Sequence, residues 1–217
     1  ARPIPVSMDT TTVAVRAVRE VGPDTVAIDI ETPDSFSAAP GQFVRLFADV
    51  DGEEIARYYT LSSPTVGETF EITVGIDPDG DLTPYLASLA AGDTVRIAGP
   101  FGNVAYEGEG DVVVLAGGPG VGPAVAIAER AIEAGYEAAV VYRDEAVAHE
   151  DRLSDLSAAG ADVRLLSADS SLEEAVAGVH ETGTVYVFGF EDFCDEALAA
   201  VEAAGGDPEG TLVESFG

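Results

Sequence analysis

Lysine is absent from the 217 residues: all ten cations are arginine, set against 40 Asp and Glu, for a formal charge of −30. A surface so poor in cations cannot neutralise a phosphate backbone, which excludes nucleic acid as a partner and disfavours anionic membrane surfaces. Cysteine occurs once, which rules out an internal disulfide framework and a four-thiolate iron–sulfur site. The reducing cytoplasm is therefore the expected compartment. The two histidines, His149 and His180, lie far apart without Cys or carboxylates at metal-ligand spacing, so no metal site is expected and surface or helix-cap roles are. Long apolar runs are missing too. The longest uncharged stretch, Val112 to Ala128, is interrupted by Gly117, Gly118, Pro119, Gly120, Gly122 and Pro123, so no membrane insertion is expected. The serines, Ser62 and Ser63 included, lack a nucleophile elbow and a nearby histidine.

The composition is nonetheless that of a folding chain: 47% of residues are hydrophobic and the acids are scattered through periodic segments, unlike a disordered acidic tail. A charge this large repels itself in dilute salt. At molar salt the screening length falls to about 3 Å and the repulsion largely vanishes. We therefore expect a halophilic, archaeal protein, with an ordinary acidic protein bearing an acidic partner site as the alternative. The segment before Met8, ARPIPVS, has no apolar signal core, and residues 1–9 are read as an expression remnant and N-terminal tail.

From Thr11 to about Gly102 the pattern is short and alternating (TVAVRAV, TVAIDIE, FVRLFADV, RYYTLSS, FEITVGI, TVRIAGP), punctuated by turns such as Asp51-Gly52 and Asp77-Pro78-Asp79-Gly80. Such spacing, with one helical stretch over Leu82–Ala90, predicts a small closed antiparallel β-barrel. From Asp111 apolar strands alternate with helical stretches, the grammar of a doubly wound parallel sheet, here of five strands. The chain thus reads as two domains, 10–105 and 106–217, with Tyr106-Glu107-Gly108-Glu109-Gly110 as a linker.

Two places carry chemistry. Strand VVVLA runs into Gly117-Gly118-Pro119-Gly120-Val121-Gly122-Pro123 and a helix, where close backbone approach and free N–H groups suit a phosphate; a merely tight turn is the competing reading. In the barrel half, Arg57 and Tyr59 fall on one face of a strand, placing a phosphate-forking cation beside a ring that can cover a flat ligand. Against that stands an exposed arginine on an edge strand. Gly80-Asp81-Leu82-Thr83 adds a glycine turn at a helix start, a second phosphate cradle or simply a capped helix.

In order and spacing, Arg57-x-Tyr59-Thr60-x-Ser62-Ser63, Gly80-x-x-Thr83, Gly99-Pro100-Phe101-Gly102, Gly117-Gly118-x-Gly120-x-x-Pro123, Gly189 and Glu214-Ser215-Phe216-Gly217 resemble the ferredoxin–NADP reductase family, as does Pro40-Gly41-Gln42-Phe43-Val44. The resemblance implies FAD, favoured over FMN, in the barrel: Arg57 on its phosphate, Tyr59 on the isoalloxazine, Thr60 near N5, and Gly80, Leu82 and Thr83 on the pyrophosphate. It places NADH or NADPH on Gly117, Gly118, Gly120 and Pro123, with Gly189 nearby. It has Phe216 covering the flavin until nicotinamide displaces it, and Glu214 near the hydride-transfer site, a simple packed tail being the alternative for the aromatic. Thr60, Glu214 and Phe216 are the implied catalytic residues.

The departures concern the nicotinamide end and, at Gly75 in the barrel, the flavin phosphate, whose neutralisation would then rest mainly on Arg57. Phe188-Gly189-Phe190 stands where many relatives have Cys-Gly-Pro, and Cys194 falls in the next helix. Pro119 replaces a threonine, and Gly75 stands where relatives often carry a cation. For the 2′ position, Arg143 with Asp144 follows the second parallel strand, whereas Asp169 would repel a phosphate; the balance favours NADH. The implied function is hydride transfer from NAD(P)H to FAD and single-electron delivery to a separate carrier, ferredoxin first, with flavodoxin or an oxygenase component behind it. Two alternatives remain: an electron-transfer subunit of a larger redox complex, and a flavin-binding module without reductase activity. Acceptor, direction of electron flow and oligomeric state are left open by the sequence.

Overall fold

A computed structural model describes residues 9–217; the remnant expected over 1–9 falls, all but Asp9, outside the described residues. The alternating segments become β1 (Thr11–Gly22), β2 (Thr25–Glu31), β3 (Phe43–Val50), β4 (Glu53–Thr60), β5 (Thr69–Gly75) and β6 (Thr94–Phe101), with α1 (Leu82–Ser88) before the last. They form one antiparallel sheet in the order β4-β3-β6-β1-β2-β5. The sheet curls until its edges meet just beyond β4, where Leu61 bridges Ile72 and the Ser62 N–H donates to the Glu71 carbonyl at 2.8 Å. Inward positions fill the barrel with Val15, Ile28, Ile30, Leu46, Phe70, Ile72 and Leu86. Packing of this kind, with one side chain in two turned inward, is what the period-2 pattern specifies.

The second half comprises β7 (Val112–Gly117), a 3-10 turn (Gly118–Gly120), α2 (Val121–Glu133), β8 (Ala138–Asp144), α3 (Glu150–Ala158), β9 (Asp162–Ser167), α4 (Glu173–Ala177), β10 (Thr184–Gly189), α5 (Glu191–Ala203) and β11 (Leu212–Ser215). Its sheet is parallel, in the order β11-β10-β7-β8-β9. β7 is buried throughout because both its faces are covered. Val112, Val114 and Ala116 pack towards α2, Val113 and Leu115 towards α5. A strand sealed on two sides needs a continuous apolar run rather than alternation. The crossover from β8–β9 to β10 opens a crevice at the carboxyl end of β7, the usual binding place of such sheets.

The segment expected to be a linker is tied down. Tyr106 is buried in the core beside α2, packs edge-on against Tyr186 and donates its hydroxyl to the Gly110 carbonyl at 2.8 Å. An aromatic followed by the run Glu107-Gly108-Glu109-Gly110 gives no local sign of burial; its pocket is built by distant strands. Among the described residues no helix is long and apolar enough to cross a membrane, and no cluster of three or more His, Cys, Asp or Glu could hold a metal.

Candidate functional site

A cleft of about 430 Å3 lies where the barrel faces the parallel sheet. β4 contributes Arg57, Tyr58, Tyr59 and Thr60, and β5 contributes Thr73 and Gly75. Thr83 closes one end, while Pro119, Phe190 and Phe216 form the opposite wall. A second lobe of about 400 Å3 shares Arg57, Tyr58, Thr60 and Phe216 and adds Phe43, Phe101, Glu214 and Ser215. Phe216 therefore stands between the two lobes. It meets Phe190 edge-on at 6.0 Å, so the phenylalanine found in place of the expected proline helps wall the cleft.

Arg57 and Tyr59 share the cleft, and so do Tyr58 and Thr60 on the alternate positions of the strand. Among the described residues the Arg57 guanidinium donates only to its neighbour's carbonyl, Ala56 O, at 2.8 Å, which leaves its remaining donors to an anion. Tyr59 is mostly sheltered. Burial pushes its phenol up to about 12, with Arg57 pulling the other way, and its hydroxyl is buried without a partner. An orphaned buried hydroxyl costs about 1–3 kcal/mol, so a ligand that satisfied it would recover part of that. Gly75 has nothing within 4 Å of where a Cβ would be, which leaves open space where a cation's side chain could have stood. A flat aromatic ligand with an anionic tail fits this set: one cation unpaired among the described residues, one half-buried ring, one orphaned hydroxyl and a floor without side chain.

Beyond Arg57 a recess of about 160 Å3 is lined by Gly80, Leu82 and Thr83. The Leu82 side chain belongs to the barrel core. The Thr83 hydroxyl is engaged by Asp77, accepting from its N–H at 2.9 Å and donating to its carbonyl at 3.3 Å.

The glycine-rich loop divides into two kinds of glycine. A Cβ on Gly117 or Gly189 would strike the Phe193 ring, at 2.5 Å and 2.6 Å respectively, and on Gly120 it would fall onto the Phe188 carbonyl, with the carbonyl carbon at 2.8 Å. Those three positions are dictated by packing within the parallel-sheet half. Gly118 differs, with φ +54° and open space around it; here the chain turns in a way L side chains resist. Pro123 sits buried in the first turn of α2, where its missing N–H is harmless.

Arg143 is not brought to the cleft. It lies beside a separate cavity of about 440 Å3 with Asp169, Ser170, Glu173 and Glu196. Its Nη1 donates to Glu196 Oε2 at 2.6 Å and to the Ser170 carbonyl at 3.2 Å, and its guanidinium lies over Phe193. The charge is already matched. Glu214 lines the second lobe, and burial raises its carboxyl above the ordinary range. Cys194 is buried, points its thiol at the Gly189 carbonyl 3.5 Å away, and lines neither lobe.

Sequence reasoning missed the seam behind the cleft. His149 occupies the position just before α3 with φ +54°, yet it is buried and shares a 2.8 Å hydrogen bond with Thr73 Oγ1 instead of capping the helix or facing solvent. Burial, then the Arg152 guanidinium, lowers its imidazole to about 4. Arg152, Glu129, Glu71 and Ser62 form a connected set beside it. The available signal was the rarity of cations: an arginine inside the acidic run HEDRLSD has to be answering carboxylates.

Residues 12–106 match the family described as oxidoreductase FAD-binding domain. The glycine betaine monooxygenase reductase subunit of Chromohalobacter salexigens is 41% identical over 97 residues, covering 43% of this chain and 26% of the relative. Among such sequence relatives the match spans 24–38% of their own length. In structure, the flavohem-like FAD/NAD binding domain of nitric oxide dioxygenase from Vibrio cholerae superposes with a TM-score of 0.82 at 22% identity, covering 95% of this chain and 98% of that one. A ferredoxin NADP+ reductase from Neisseria gonorrhoeae with bound FAD and NADP gives 0.74 at 19%, covering 96% and 99%.

Proposed function

We propose that this chain, with an oxidoreductase FAD-binding domain over residues 12–106 and the two-domain fold of ferredoxin reductases, takes hydride from NADH onto FAD and delivers electrons singly to a separate protein carrier. The observation that carries the reading is the cleft itself. It combines an unpaired Arg57, a sheltered Tyr59 with an orphaned hydroxyl, and the glycine turn of a parallel sheet on the facing wall. When bound, FAD supplies the conversion between two-electron and one-electron transfer. The chain's own residues bind and align. Arg57 would hold a flavin phosphate, Tyr59 would cover the ring, the Thr60 hydroxyl would stand near N5, and Gly80, Leu82 and Thr83 would line the pyrophosphate. Gly117, Gly118, Gly120 and Pro123 would shape the nicotinamide dinucleotide's turn, with Gly189 beside them. Phe216 would cover the second flavin face and yield it to nicotinamide. The Glu214 carboxyl, kept above its ordinary range by burial, would hold a proton at the second lobe.

The preference for NADH is supported by the sealed charge of Arg143 and by Asp169, Glu173 and Glu196 around the same cavity. A 2′-phosphate there would meet three carboxylates and a cation already committed. The same reading divides the chain into a flavin-binding domain over 10–105 and a nucleotide-binding domain over 106–217. It also takes the electron carrier to be ferredoxin or an oxygenase component, and the setting to be a salty archaeal cytoplasm, the last supported by the charge of −30. The test is anaerobic: purified protein at molar salt is titrated with NADH and NADPH while flavin absorbance is followed, and candidate carriers are then added. Bleaching by NADH at lower concentration than by NADPH supports the proposal. Colourless protein that takes up no added flavin sinks it, and yellow protein that neither nucleotide bleaches leaves only a flavin-binding module.

A further inference from the structure

The seam between the barrel and the parallel sheet has an anchoring that the proposed chemistry does not itself use. Arg152 of α3 grips Glu129 of α2 with two parallel bonds, Nε to Oε1 at 2.7 Å and Nη2 to Oε2 at 2.6 Å. The same guanidinium crosses to the barrel, donating from Nη1 to Glu71 Oε1 at 2.9 Å and from Nη2 to the Ser62 carbonyl at 2.8 Å. Glu71 is held from the barrel side as well, accepting from Ser62 Oγ at 2.6 Å and from Arg19 at 2.6 Å. Bidentate and charge-assisted bonds of this kind fix direction as well as distance.

A second contact lies at the other end of α2. Gly122 is so close to the barrel that a Cβ would stand 2.9 Å from Thr73 Oγ1 and 3.2 Å from Ser62 Cβ. Gly122 and Glu129 are two turns apart, about 10 Å along the helix axis. A rod held at two points that far apart has its tilt fixed, not only its position. The rod begins at Val121, directly after Pro119 and Gly120 of the glycine loop, and Pro119 lines the cleft opposite Thr60. On the barrel side the anchor is Ser62, two residues beyond Thr60.

We propose that Arg152 is a positioning residue for hydride transfer: through Glu129, Glu71 and the Ser62 carbonyl it fixes the tilt of α2 and hence the height of the nicotinamide loop above the flavin site. The inference rests on the reductase reading for its chemistry, while the clamp itself is a property of the chain without cofactor. Hydride transfer is sensitive to such height, because a misplacement near 1 Å costs about a hundredfold in rate.

The test uses Arg152→Lys, which keeps the charge and loses the fork, Arg152→Gln, and Glu129→Gln, which leaves the barrel contacts of Arg152 in place. Flavin content and single-turnover bleaching by NADH are measured at molar salt, with bleaching by dithionite as a reference that needs no nicotinamide alignment. Calorimetry of flavin-free protein supplies the second readout. The expected result is retained flavin, unchanged dithionite bleaching, and NADH bleaching slowed at least tenfold in Arg152→Gln, with Arg152→Lys and Glu129→Gln in between. Flavin-free wild type melts in one transition, and Arg152→Gln separates it into two. NADH bleaching within twofold of wild type in all three variants overturns the proposal, as does an equal slowing of NADH and dithionite. Should Arg152→Gln fail to fold, the NADH-to-dithionite ratio in Glu129→Gln decides alone. If wild type itself is not bleached by NADH, the reductase reading fails, and the calorimetric splitting still judges the clamp.

Discussion

Gly120→Ala isolates the contribution of loop placement. At φ −59° the backbone conformation is one alanine adopts freely, so no dihedral strain is introduced. The added methyl, however, would meet the Phe188 carbonyl, whose carbon is only 2.8 Å from the Cβ position. Ordinary contact begins near 3.4 Å, so the 3-10 turn must retreat from β10 by more than half an ångström. Phe188 cannot yield instead, because it is fully buried in the parallel-sheet core. Overpacking of this kind costs about 1–3 kcal/mol, which for a chain of this size lowers Tm by about 2–12 °C. The retreat displaces Pro119, which lines the cleft, and displacement of order 1 Å lowers an aligned transfer by about a hundredfold. Calorimetry measures the first effect, and anaerobic stopped-flow reduction of the flavin by NADH the second. Flavin content is expected to stay at the wild-type value, because Gly120 lines neither lobe. A variant with wild-type Tm and wild-type reduction rate would refute the packing account of this glycine and the placement of the loop together.

Arg57→Ala removes the one unpaired cation lining the cleft among the described residues, and loss of a charge-assisted bond worth about 1.5–3 kcal/mol should weaken flavin binding roughly ten- to a hundredfold. Absorbance per chain after gel filtration reads this directly, and full occupancy would contradict the assignment. Phe216→Ser should leave flavin bound while changing the affinity for NADH or the rate of reduction; if neither moves, the ring is only packing against Phe190. The imidazole of His149 gives a pH dependence of definite sign. Its folded value of about 4 lies below the unfolded value, so between pH 6.5 and 4 the unfolded chain binds the extra proton and stability falls as pH falls. From pH 7 to pH 5 the loss is about 2 kcal/mol, read as a shift in urea midpoint. His149→Asn, a residue that tolerates positive φ, should remove most of that slope. Glu71, whose carboxyl is also held below its ordinary range, burial raising it but Arg152 and its other partners outweighing that, adds a further loss only below about pH 4.5, so an unchanged slope between pH 7 and pH 5 in His149→Asn would refute the assignment to the imidazole.

Much of the architecture was legible because it is written in periodicity. Alternation over β1 to β6 and unbroken apolar runs such as that of β7 are local records of how many faces of a strand are covered. The pairing of Arg57 with Tyr59 was legible for the same reason, since residues two apart on a strand share a face. What escaped has a common physical cause: a charge's partner is chosen by the fold, not by its neighbours. The carboxylate that pairs with Arg143 is Glu196, 53 positions away. Arg152 answers a glutamate 81 positions away. Tyr106 and His149 are buried by elements that arrive from elsewhere in the chain. The glycine-rich loop was recognised, but only the tertiary environment separates Gly118, which serves a turn in open space, from Gly117, Gly120 and Gly189, which make room for Phe193 and Phe188.

The barrel closes through a short seam, the Leu61–Ile72 bridge with the adjoining bonds of Ser62 and Ser63 to Glu71, directly beyond Thr60 of the cleft. A cylinder joined by a full ladder opens only with global unfolding, whereas one joined over so short a seam can breathe there. The amide of Ser62, which donates to Glu71 across the seam, would then exchange with solvent according to how firmly the other half of the molecule holds Ser62 in place. Its protection becomes a gauge, readable without any cofactor or substrate, of communication between the two halves. Loosening at this one peptide would be felt simultaneously by the cleft wall and by the helix that faces it.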